Sequence, residues 1–124
     1  MGGKADAPAL FFMFKPSKIL MRRFNKFNQL YFDGRLPECQ VGFDDELRPE
    51  ILGELFGLTE EEDTTLKHFQ IHIAPRVDQT TEQLLMTLLH EMAHLSLYPH
   101  VKHGKKFNAE MLRIANRGGF DGLW

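Results

Sequence analysis

The residues with the plainest chemistry are His90, Glu91 and His94, in the run Thr87-Leu88-Leu89-His90-Glu91-Met92-Ala93-His94-Leu95. Two histidines four apart on a helix project from one face, one turn apart. Both imidazoles can then reach a single Zn²⁺ at about 2.0–2.1 Å. A glutamate next to the first histidine can turn toward the open side of the metal and take a proton from a bound water. The spacing therefore predicts a metal site with hydrolytic chemistry, with His90 and His94 as ligands and Glu91 as general base.

A catalytic zinc keeps three protein ligands and one open position. Three candidates for the third ligand follow closely. His100 lies six residues after His94, but sites with that spacing need glycine where this chain has Leu97. Glu110 falls on the next predicted helix, the arrangement of zincins with a His₂Glu set. His103 comes nine residues after His94, past Pro99, with Gly104 beside it to free the backbone where the chain turns back. Geometry favours His103, which gives a His₃ set and leaves one position for water.

The motif needs a buried helix to hold it. Thr80-x-x-Gln83 matches a capping box, and Leu84, Leu85, Leu88, Leu89, Met92, Ala93 and Leu95 make the helix it opens apolar nearly all round. Such a helix belongs at the centre of a domain, and charge there is costly unless paired or bound to metal. Pro99 ends it. A second helix starts after Gly104, with Phe107, Met111, Ile114 and Ala115 as its apolar stripe and Gly118-Gly119 as its stop.

Upstream, Ser17 reads as the cap of a helix whose stripe is Leu20, Phe24, Phe27 and Tyr31, stopped at Asp33-Gly34. Gln40 to Phe43 and Ile51 to Leu58 are strand candidates. Gly53 and Gly57 in the second suggest a bend or a close backbone approach. Phe69 to Ala74 alternates apolar and polar residues, the clearest strand. His72 on its polar side reads as a half-exposed strand histidine, and His68 likewise. Glu60 to Asp63 reads as an exposed loop.

The chain has 124 residues, 43% hydrophobic and 26% charged, which suits one soluble domain able to bury its own core. The single cysteine, Cys39, excludes an internal disulfide and a cysteine-based zinc ribbon. It also suits a reducing, cytoplasmic setting. The apolar run Ala9 to Phe14 is too short to span a membrane and lacks the form of a signal peptide. Asp6 spoils a myristoylation motif at Gly2. We expect a monomeric single domain over 1–124, flexible through residue 15, without a C-terminal zinc ribbon and without a membrane partner.

Net charge is −2 but unevenly spread. Residues 1–35 carry seven Lys/Arg against two Asp/Glu, whereas residues 36–66 carry one against ten. Lys18, Arg22 and Lys26 form a basic stripe on the first helix, and Lys102, Lys105 and Lys106 crowd around His103. Both groups read first as solvated surface and second as nucleic-acid contacts.

His90-Glu91-x-x-His94, eight residues, then His103-Gly104-x-x-Phe107 resembles the signature of SprT-like zinc metallopeptidases. Upstream, Phe27-Asn28-x-x-Tyr31-Phe32-x-Gly34-x-Leu36-Pro37 is similar to that family's first helix and its exit. The Gly53 strand and the Ile71–Ile73 strand fall in family order, so the resemblance covers about residues 17 to 117. It implies an α+β fold: a minimal zincin-like domain, with a small mixed sheet packed on the motif helix and helices flanking on both sides. It implies one Zn²⁺ held by His90, His94 and His103, with Glu91 as catalytic base. It further implies a protein substrate and, as in eukaryotic members that act on DNA–protein crosslinks, a link to DNA. Two other readings fit the same residues: a zinc-containing nucleic-acid or protein adaptor with little turnover, and a zinc hydrolase of a non-protein substrate.

Overall fold

The computed structural model describes residues 14–59, 67–75, 80–99 and 102–121. Among the described residues the fold is α+β, with four strands in one mixed sheet and three helices. In chain order these are β1 (Phe14–Pro16), α1 (Lys18–Tyr31), β2 (Cys39–Asp44), β3 (Gly53–Thr59), β4 (Lys67–Ile73), α2 (Thr81–Ser96) and α3 (Lys105–Asn116). Glu60 to Asp63 lie outside the described residues. Among the described residues, no helix is long and apolar enough to cross a membrane.

Local sequence explains each helix. Ser17 caps α1 by accepting from the Leu20 amide at 3.2 Å. Asp33 (φ 56°) and Gly34 (φ 71°) end it in the left-handed region, where most side chains are strained. In α2, Thr80 and Gln83 exchange both capping-box bonds, at 3.2 and 2.8 Å. The α1 stripe buries Leu20, Phe24 and Phe27.

The sheet runs β1-β2-β4-β3, with β2 and β4 parallel and the other pairs antiparallel. On β4, Ile71 and Ile73 are fully buried and join Val41, Leu88, Leu89, Met92 and Ile114 in one apolar cluster. Burying each such side chain contributes about 1.5–3 kcal/mol, so this cluster fixes α2 against the sheet. Among the described residues β3 is an edge strand, and it reaches α2 closely. A Cβ at Gly53 would stand 2.6 Å from the Thr87 methyl and 3.3 Å from Glu91 Cγ. One at Gly57 would stand 2.7 Å from the Tyr98 hydroxyl. Glycine at both positions is what the close approach requires.

The opposite face of the sheet departs from expectation. His72 is not half-exposed; it is fully buried. Its Nδ1 lies 2.8 Å from Asp44 Oδ2 and its Nε2 2.8 Å from Gln70 Oε1, so each ring nitrogen faces a side-chain oxygen. Phe14 stacks on the ring at 4.3 Å and Phe56 covers it at 4.4 Å. Burial lowers the His72 pKa, and the Asp44 carboxylate opposes that shift. The alternation in β4 assigned His72 to the correct face. What it lacked was β1: Phe14 and Lys15, placed by sequence in a flexible N-terminus, pair with Asp44 and Phe43 instead.

Candidate metal centre

α2 presents His90 and His94 one turn apart, with ring centroids 4.9 Å from each other. The helix stops at Ser96, and the chain turns and re-enters helix at α3 with Gly104 as N-cap. Gly104 has extended backbone (φ −164°), and a Cβ there would meet nothing within 4 Å. The expectation that glycine frees this turn is therefore corrected: other residues could adopt the same backbone. The turn brings His103 back over α2.

Three Nε2 atoms converge. His90 and His94 are 3.3 Å apart, His90 and His103 3.2 Å, and His94 and His103 3.0 Å. Nitrogens bound tetrahedrally at 2.0–2.1 Å stand roughly 3.3–3.4 Å apart, so the triangle is close to the size that one metal ion requires. A ring nitrogen that carries a proton donates but cannot accept, so three neutral imidazoles cannot hydrogen-bond along all three edges, and a shared cation would relieve the clash of lone pairs. His103 is exposed, His90 intermediate and His94 buried.

Phe107, on the first turn of α3, touches all three rings, at 4.8 Å from His90, 4.4 Å from His94 and 4.7 Å from His103. His94 lies nearly parallel to it, at 23°. Metal-binding histidines are usually oriented by a hydrogen bond from the other ring nitrogen. His94 Nδ1 is buried and has no such partner among the described residues. The His94 ring instead stacks on Phe107, a contact the sequence reading missed when it counted Phe107 only in a core stripe and a signature.

The competing third ligand is accounted for elsewhere. Glu110 accepts from Ser96 Oγ at 2.7 Å and from Arg113 at 2.8 and 2.9 Å. These bonds tie α3 to the end of α2 and hold the Glu110 carboxyl below its usual range, the Arg113 hydrogen bond first among the causes. Glu110 is absent from the histidine cluster. His100 lies outside the described residues. The Tyr98 ring packs edge-on to Phe69 at 5.0 Å, with its hydroxyl over Gly57.

Glu91 is buried, 6% exposed. Its carboxyl is pushed up to about 7, by burial first and then by the Glu54 charge. A cation on the three nitrogens favours the carboxylate and lowers that value. Burial, with His90 and His103 adding to it, pushes His94 down to about 4, and burial also lowers His90. Both rings are therefore neutral near pH 7, the form that binds metal. Because Glu54 raises the Glu91 pKa, Glu54→Gln is expected to move the acid limb of any Glu91-dependent rate to lower pH. An acid limb that stays in place or moves up in a pH–rate profile would contradict this.

Of the basic residues, Lys102, Lys105 and Lys106 are exposed beside His103, and Lys18, Arg22 and Lys26 are exposed on α1, a different element. Searches among curated proteins and among solved structures returned no match. A family model does match, that of the SprT-like family, over residues 20–121. With its motif helix, its returning third histidine and that match over most of its length, the chain belongs to the SprT-like family.

Proposed function

We propose that this protein is a zinc metallopeptidase in which His90, His94 and His103 hold one Zn²⁺ and Glu91 moves the proton. The observation that carries the reading is the triangle of three Nε2 atoms 3.0–3.3 Å apart, with a buried carboxyl on the same helix. A zinc ion so held supplies a Lewis acid and makes water acidic enough to ionise near pH 7. Glu91 accepts the proton of the attacking water and returns it to the leaving amine, and a carboxyl raised by burial suits the second task. The edge strand β3 offers main-chain groups to an extended substrate, which favours unfolded segments over any one sequence.

The exposed lysines around His103 support DNA-associated proteins as the substrate class. The test is cleavage of an unfolded protein, with and without single-stranded DNA. Stripping the metal is expected to abolish cleavage, one equivalent of zinc to restore it, and DNA to stimulate it at low salt. Full cleavage after metal removal would overturn the peptidase reading. DNA binding that falls with salt but brings no cleavage would instead support the adaptor reading, which rests on the same lysines.

A further inference from the structure

Beside the histidines lies a cavity of about 740 Å³. α2 lines it with Met86, Thr87, His90 and Glu91, the segment entering β3 with Ile51 and Leu52, and α3 with Met111 and Leu112. We propose that this cavity is a subsite for one large apolar side chain of the polypeptide substrate, so that cleavage occurs next to leucine, methionine or phenylalanine. The proposal rests on the peptidase reading and names its substrate class more narrowly.

Three observations carry it. First, the cavity is within the size range of ligand pockets, roughly 300–1,000 Å³, and its walls are mainly apolar. Leu112 is 61% exposed and Leu52 46% exposed, and both line it. Solvent-facing leucines from two elements lining one cleft add little to the core and are where a partner gains from burial. Second, the cavity is continuous with the chemistry: His90 and Glu91 are part of its lining, so a side chain seated there belongs to a residue next to the attacked bond. Third, Gly53 both lines the cavity and begins the edge strand β3. A substrate strand paired with β3 turns alternate side chains toward one face, which aims one of them into the cleft. Among the described residues the charged groups in the lining, Glu50 and Glu91, are both acidic, which disfavours Asp and Glu at this position.

Methionine methyls report on the cavity directly. Met86 and Met111 line it, Met21 lines a separate cavity of about 540 Å³, and Met92 is fully buried. The zinc-loaded Glu91→Gln protein, labelled with ¹³C at the methionine methyls, would be titrated with capped Gly-Leu-Gly, Gly-Phe-Gly, Gly-Asp-Gly and Gly-Lys-Gly. The Met86 and Met111 signals are expected to shift saturably with the leucine and phenylalanine peptides, with affinity for the aspartate peptide weaker by about tenfold or more. Met21 should stay in place. Ala115→Phe, at an exposed position in the lining, narrows the space and should weaken the phenylalanine peptide by about tenfold.

In parallel, cut sites made by the zinc-loaded parent in an unfolded protein should show leucine, methionine or phenylalanine enriched at one position beside the cut, with the enrichment reduced by Ala115→Phe. Silent Met86 and Met111 signals, or an equal response to the aspartate or lysine peptide, overturn the subsite. A clear methyl response without cleavage by the parent keeps the subsite and overturns the peptidase reading. Cleavage without apolar preference does the reverse.

Discussion

Replacing Glu91 with glutamine is expected to slow cleavage of an unfolded protein by about 10²–10⁴-fold while bound zinc stays at one equivalent. Glutamine keeps the size and shape of the side chain that packs against Gly53, and none of the three converging nitrogens is touched. What is lost is the ability to accept a proton. The substitution also has a stability signature that separates loss of chemistry from loss of fold. Burial raises the Glu91 pKa from 4.5 to about 7, so the folded protein resists ionising this group. The unfolded chain gives up the proton first, and stability falls as pH rises from 4.5 toward 7. Glutamine does not ionise, so the variant should be the more stable of the two above pH 7, by up to about 3 kcal/mol without zinc, and by less with it. Melting curves at pH 5 and pH 8 check the sign, and cleavage assays check the rate. A variant that cleaves like the parent would remove Glu91 from the mechanism.

What the sequence revealed and what it concealed divide along physical lines. Features written in local spacing were legible: the capping box of α2, the Leu20–Phe24–Phe27 stripe of α1, the left-handed stop at Asp33-Gly34, and the two histidines one helical turn apart. The close approaches at Gly53 and Gly57 were anticipated too, because a glycine weakens a strand interior and so marks a place where the chain bends or a neighbour comes close. The failures came from partners distant in sequence. β1 is three residues long, too short for any periodicity, and without it nothing indicated that Phe14 would cover His72. Glu110 had the right residue type to be a ligand. Only the fold shows that Arg113 and Ser96 already use it. Phe107 looked like core because aromatic residues at helical spacing usually are, and it is buried. That its ring also touches all three imidazoles is a fact of tertiary geometry.

His103→Ala is the second large effect, and it tests the part of the ligand set least fixed by local spacing. Structural zinc sites with four protein ligands gain about 10–16 kcal/mol, so one ligand accounts for roughly 3 kcal/mol, on the order of 100-fold in zinc affinity. The fold should survive. His103 is exposed and lies outside the apolar cluster that joins the sheet to the helices, so its removal opens no core cavity. His94, buried and stacked on Phe107, is a poorer choice for the same test, because its loss would damage the packing as well as the site. Repulsion from His103 is among the causes that lower the His90 and His94 pKa values, with burial the first cause for both. In the alanine variant without metal, the His90 ring is thus expected to titrate at higher pH, a shift visible by NMR. Glu110→Gln is the matched comparison. It should weaken the link between α2 and α3 through Ser96 and Arg113 yet bind zinc as tightly as the parent in competition with a chelating dye. If zinc affinity instead fell in the Glu110 variant and held in the His103 variant, the site would be of the His₂Glu type, and the convergence of three imidazoles would have another cause.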